Sequence, residues 1–227
     1  MNSMKTKVLL MAVAMTVATA ASAQKNDYYK TCHEIGVTIG VGATTEIFSG
    51  LSDLMGIAVS AAVTSAITGG TVSGYYNYGD EKYIPNISAE YFYHVNKTIG
   101  LGGFVGFNGM DRDMYVTWTN NTTNTKTSTK TGVARRRNLS IIPAAKFDWV
   151  RSKNFGMYTK AGLGLSFMLE TQKDDVDGGN DYSDTDVIPN LQLSLIGLEG
   201  GTEQIRAFAE LGFGEQGILL AGLKYKF

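Results

Sequence analysis

The sequence predicts an all-β protein, an eight-stranded antiparallel transmembrane β-barrel with a short helix in the first outer loop. Three observations predict it. Eight segments of roughly ten residues alternate apolar and polar side chains, and about 9–11 tilted residues cross a bilayer. The links between them are alternately tight and long. The chain opens on an export signal and closes on Gly222-Leu223-Lys224-Tyr225-Lys226-Phe227, a terminal strand ending in an aromatic residue.

Residues 1–23 read as a signal peptide. Lys5 and Lys7 form the positive start, residues 8–18 an apolar run, and Ala21-Ser22-Ala23 the small-residue cleavage site. The mature domain is therefore 24–227, one barrel domain. The lone Cys32 follows Tyr29-Lys30-Thr31 rather than small apolar residues, which argues against a lipoprotein, and it has no partner for a disulfide. A net charge of −1 gives no reason to expect nucleic acid. Glycines (27), tyrosines (12) and phenylalanines (10) against 3 prolines suit strands and tight bends. No stretch of the mature chain reads as a spanning helix; the nearest, 54–67, is too short.

The first strand is expected at 34–43, with Ile35, Val37, Ile39 and Val41 on its apolar face. The second (86–95) sets Ile87, Ala89, Tyr91, Tyr93 and Val95 against Ser88, Glu90, Phe92 and His94. The third (99–108) and fourth (138–149) repeat the pattern, the latter with Leu139, Ile141, Phe147 and Trp149 opposing Ser140, Lys146 and Asp148. The fifth (155–170) opposes Leu163, Leu165 and Phe167 to Tyr158, Lys160, Ser166 and Glu170. The sixth (188–197), seventh (205–214) and eighth (218–227) place Leu193, Leu211 and Leu223 on the apolar face; Gln192, Arg206, Glu210, Lys224 and Lys226 lie opposite.

Tight links are expected at 96–98, 151–154 and around 200–202, and a short outer link around Gln216. Long outer links are expected at 44–84, 110–137 and 171–187. With the apolar face outward, Tyr93, Trp149, Phe155, Tyr225 and Phe227 fall at the tight-turn ends, and Phe107, Phe167 and Phe213 at the opposite ends. Two such aromatic rings suit the two membrane interfaces.

The inward set, acids Glu34, Glu90, Asp148, Glu170 and Glu210 with bases Lys146, Lys160, Arg206, Lys224 and Lys226, is balanced in sign. In a lumen just wide enough for side chains these charges must pair, which predicts a salt-bridge plug; a narrow ion path is the functional alternative. A helix is expected at 52–69 with Ser52 as its cap. Residues 114–130, rich in Thr, Tyr and Trp, are expected to continue a hairpin beyond the membrane, where a strand edge would capture extended peptides.

No catalytic, cofactor or metal residue is predicted. The acidic loop with Asp174, Asp175, Asp177, Asp181, Asp184 and Asp186 lacks a calcium-loop spacing. His33 beside Cys32 lacks the other ligands of a zinc site. Ser88, Glu90 and His94 share a face but are spread along one strand.

The signal peptide, the segment Ser88-Ala89-Glu90-Tyr91-Phe92-Tyr93-His94-Val95-Asn96-Lys97 and the closing Gly222-Leu223-Lys224-Tyr225-Lys226-Phe227 carry a family resemblance. In them the chain resembles the small outer-membrane β-barrel family of Bacteroidetes, akin in architecture to the OmpA and OmpX barrels. The resemblance spans the mature chain. It implies the cell outer membrane, contact with outer-membrane lipid and lipopolysaccharide, and recognition of the C-terminal strand by the barrel assembly machinery. It lends no catalytic residues, and no peptidoglycan-binding domain is expected. The expected role is structural or a surface interaction of adhesin type with an extracellular partner, without catalysis. A narrow channel and a membrane-embedded lipid hydrolase are the alternatives.

Overall fold

Strand alternation sorts the side chains of this chain onto two faces, and the sheet closes so that one face becomes a lumen. The computed structural model describes residues 32–175 and 181–227; the predicted signal peptide and part of the acidic loop lie outside them. The elements are β1 (His33–Val41), α1 (Thr44–Ile67), β2 (Val72–His94), β3 (Ile99–Asn120), β4 (Thr125–Arg151), β5 (Phe155–Asp174), β6 (Tyr182–Gly201), β7 (Ile205–Gly214) and β8 (Leu219–Lys226). The strands pair in chain order, all antiparallel, and β1 pairs β8 to close the barrel. All eight predicted strands are present, and the three predicted tight links are turns of a few residues.

The burial alternates as the sequence requires. In β1, Glu34, Gly36, Thr38 and Gly40 are buried while Ile35, Val37, Ile39 and Val41 are more than half exposed. Leu163 is 73 % exposed and Leu223 57 %, whereas Lys160, Arg206 and Glu210 are each 1 % exposed. The predicted aromatic positions are outward and exposed at both ends of this apolar belt. At the tight-turn end Tyr225 and Phe227 stack at 5.8 Å, and the His33 ring stacks on Phe227 at 5.3 Å.

Small residues make the filled lumen geometrically feasible. A Cβ at Gly197 would meet the Tyr158 ring at 2.4 Å, so the missing side chain is what admits that ring. Gly214 (φ 144°) and Gly217 (φ 121°) bracket Glu215-Gln216 and let the β7–β8 turn fold inward; a Cβ at Gly217 would meet the Val41 carbonyl at 2.5 Å.

The structure departs from the predicted boundaries on the long-link side. Most of the predicted links 44–84, 110–137 and 171–187 are ordered strand or helix. β1, β7 and β8 have 9, 10 and 8 residues, whereas β2 to β6 have 20 to 27. The barrel therefore has one low side and one high side, the latter a five-stranded wall that rises beyond the mouth. The predicted hairpin ribbon is part of this wall: β3 pairs β4 continuously to Asn120↔Thr125. Within this β3–β4 ribbon the free edge is β4 residues 125–130, because β5 pairing begins at Gly132 and the Asp175 N–H donates to the Thr131 carbonyl. Lys126 and Lys130 sit on that edge, and lysine is a common means of blunting edge pairing.

The helix is also longer than predicted. It begins at Thr44, eight residues before the expected Ser52, and Glu46 rather than a serine satisfies its start by accepting the Ala43 N–H at 3.2 Å. At 24 residues, with a mean hydropathy of 1.5 over 18 of them, it is apolar enough to cross a membrane by length and composition. Its polar face is instead committed to the barrel mouth and the inner surface of the wall.

Candidate functional site

Three layers of polar contacts fill the space inside the strands. The lowest, at the tight-turn end, centres on two buried carboxylates. Glu34 lies 2.5 Å from Lys146 and 3.7 Å from Lys226. Glu199 lies 3.0 Å from Arg206, 3.2 Å from Lys224 and 3.7 Å from Lys146, and also pairs with Lys226. The His94 ring sits between Glu34 at 3.3 Å and Asp148 at 3.1 Å. Arg206 also donates to the carbonyls of Ser152 at 2.7 Å and Lys153 at 2.6 Å, tying the plug to the β4–β5 turn.

The middle layer joins Lys160 to Glu90 at 2.9 Å and to Glu210 at 3.0 Å. The Tyr158 hydroxyl donates to Glu210 at 2.7 Å, and its ring takes the Lys146 and Lys224 ammonium groups at 4.0 and 4.4 Å from its centre. Buried charges are tolerated only when paired and hydrogen-bonded, and here each carboxylate meets more than one cation or donor.

The upper layer is built on one residue, Glu215, carried into the lumen by the β7–β8 turn. Its carboxylate accepts from Asn108 at 2.7 Å, Asn190 at 2.7 Å, Thr45 at 3.1 Å, Thr44 at 3.2 Å and Asn138. Its carbonyl accepts from Asn86 at 3.0 Å. Glu215 thus pins the start of α1 to the mouth. The helix then climbs the inner surface of the wall. Ser49 accepts from Arg136, Asp53 pairs with Arg112, and the Thr64 hydroxyl donates to the Gly74 carbonyl at 3.1 Å. Its other face is a stripe at four-residue spacing, Ile47, Leu51, Met55, Val59, Val63 and Ile67, all exposed.

The inward charges predicted from alternation are buried here, with one exception of place. Glu170 stands in the wall, half-buried, 2.8 Å from Arg136. Burial pushes its carboxyl up, but the hydrogen bond and charge of Arg136 prevail and hold it below the ordinary glutamate range. Sequence reasoning missed Glu199, Glu215, Arg112 and Arg136. A bulge in β6 hid Glu199: Ser194 faces in, Leu195 and Ile196 both face out, and the parity reverses after them. Two adjacent large apolar residues followed by Leu198 are the signal that would have shown it. For Glu215 the signal is the Gly-Glu-Gln-Gly sequence itself.

Ser88, Glu90 and His94 are not assembled into a unit. Ser88 bonds Thr38 and Gln216, Glu90 bonds Lys160, and His94 faces Glu34 and Asp148. Ser88 and His94 are six residues apart on one strand, about 20 Å. Among the described residues no group of three or more histidine, cysteine, aspartate or glutamate residues is placed to hold a metal ion. No family model matches the chain, and no curated protein matches it.

Proposed function

We propose that this protein is an outer-membrane barrel with a sealed lumen, and that its raised wall and helix serve a structural or surface-interaction role outside the cell, without catalysis. The carrying observation is the inversion of polarity. Ten lumenal acids and bases, Glu34, Glu90, Asp148, Lys146, Lys160, Glu199, Arg206, Glu210, Lys224 and Lys226, are at most 4 % exposed, while the outward belt is apolar. Water around that belt would leave a large contiguous apolar surface uncovered, whereas acyl chains match it. The eight strands close into one ring, β1 pairing β8, which is the form in which strands satisfy a bilayer. Outer-membrane lipid, lipopolysaccharide and, through β8, the assembly machinery are the partners this reading implies. The family resemblance of the terminal strand belongs to the same proposal.

Interaction is assigned to the wall because the exposed stripe of α1 and the β3–β4 hairpin are its most prominent surfaces. The channel reading is disfavoured by the two lower layers of ion pairs and by the Glu215 layer at the mouth, and the hydrolase reading by the separated Ser88 and His94.

The test is physical. The mature protein should need detergent to stay monodisperse, and unheated samples should migrate differently from boiled ones on an SDS gel. A folded monomer in plain buffer would overturn the proposal. In planar bilayers it should give no unit conductance; a reproducible conductance lost in Lys160→Ala would establish the channel instead. Removal of residues 117–130 should reduce binding to a host surface, and unchanged binding would take the hairpin out of the account.

A further inference from the structure

Beyond Gln192, β6 loses one of its two neighbours. Gln192 pairs with Gly214, the last residue of β7, so from Tyr182 to Asn190 the only strand paired with β6 is β5. The Leu191 carbonyl accepts the Glu215 N–H at 3.0 Å, which shows that the odd-numbered residues of this stretch point their backbone groups to the unpaired side. Three of the four odd positions from 185 to 191 have no N–H to offer there. The Thr185 N–H donates to Asp184 Oδ1 at 2.8 Å, the Leu191 N–H donates to Asn190 Oδ1 at 2.8 Å, and Pro189 has none. Such an edge does not recruit another strand. Donors satisfied within the chain are also what a backbone needs where hydrocarbon lies alongside it.

A cavity of about 540 Å³ opens at this edge, within the size range of small-molecule sites. Its outer lip is Leu163, Leu191 and Phe213, all members of the outward apolar belt. Its inner end includes Met168 and Ile188. By strand parity these two face inward, at a height where the other lumenal groups are polar. The start of α1 and Arg136 form the rest of the lining. An apolar path therefore runs from the belt through the wall to the foot of the helix. Arg136, one of the lining residues, bonds Ser49 and Glu170 through its terminal nitrogens, and its Nε has no partner among the described residues.

Resting on the bilayer reading above, we propose that this window is a binding groove for one acyl chain of a bilayer lipid. The chain enters sideways from the surrounding leaflet, with its acyl carbonyl accepting from Arg136. A flexible hydrocarbon chain fits the apolar path, and a carbonyl is an acceptor without charge. An anionic head at the same point would meet Glu170 and, one residue from the lining Asn190, the carboxylate of Glu215. An extended peptide is disfavoured because the edge withholds its donors.

The experiment uses the mature protein in phosphatidylcholine nanodiscs doped with phosphatidylcholine that carries a diazirine along one acyl chain. Photoadducts are mapped by mass spectrometry. The expected result is labelling of belt residues such as Leu193 and Leu223 together with Met168 and Ile188. Met168→Trp, which fills the inner end, should cut adducts at Ile188 at least ten-fold and leave those at Leu193 unchanged. Ile188→Phe, read at Met168, repeats the test should the first variant lose its heat-shifted gel mobility. Belt labelling with bare Met168 and Ile188, or with adducts that neither filling variant reduces, overturns the groove and leaves the barrel in its bilayer. Absence of labelling on the belt itself overturns the bilayer reading.

Discussion

Glu199 holds four cations around one carboxylate, and it is 3 % exposed. Removing one partner from a buried charge cluster typically costs about 3–5 kcal/mol, because the remaining charges are left uncompensated. Glu199→Gln keeps the shape and deletes the charge, so it should lower the stability of the folded barrel by about that amount, read as a shift of the urea midpoint in lipid vesicles. Lys153→Ala is the contrasting variant. It breaks an ion pair of 3.2 Å whose lysine is 66 % exposed, and its effect should stay under about 1 kcal/mol. The identity of the lumenal charges was legible in the sequence wherever alternation ran unbroken, as at Glu34, Lys160 and Arg206. It failed at Glu199 because the bulge at Leu195-Ile196 adds a residue, and a strict two-residue period carried across it puts Glu199 on the wrong face.

At the scale of elements, α1 has two predictions of its own. Gly50 and Gly56 lie inside the helix, and a Cβ at either would meet nothing within 4 Å. Gly50→Ala and Gly56→Ala should each stabilise the helix by about 1 kcal/mol, measured as slower amide exchange along it. The docking of α1 should depend on pH through the wall. Glu170 is held below the ordinary glutamate value of about 4.3, so its pairing with Arg136 stabilises the fold above that value and is lost as pH falls through the lowered one. A spin label at Val59→Cys in a Cys32→Ser background should keep its mobility unchanged through neutral pH and loosen only at pH below the ordinary glutamate range. Glu170→Gln should show no such pH step. The barrel parts of these strands could be read from the sequence because one face is apolar and the other is not. Their extensions could not, since polar residues occupy both faces there and no apolar stripe marks a period: Thr117, Thr119, Lys126 and Ser128 are examples. The helix start was missed for a related reason: Thr44 and Thr45 are poor helix formers, and their side chains are satisfied by Glu215, which lies 170 residues away in the chain.

The whole molecule is lopsided: three short strands and five tall ones share one ring, and the low side is where α1, Glu215 and the β6 window meet. Ring closure depends on the pair most distant in sequence. β1 and β8 register from Glu34↔Lys226 to Val41↔Leu219, and His33 and Phe227 exchange two backbone bonds of 2.9 Å. Since these two residues already touch, a linker of a few glycines from Phe227 to Cys32 would span no gap. The natural order of the strands is then one of several equivalent ways to thread the same cylinder. A circular permutant opened in the exposed β3–β4 turn, near Asn121, should assemble into the same barrel, with the same heat-shifted mobility and circular dichroism.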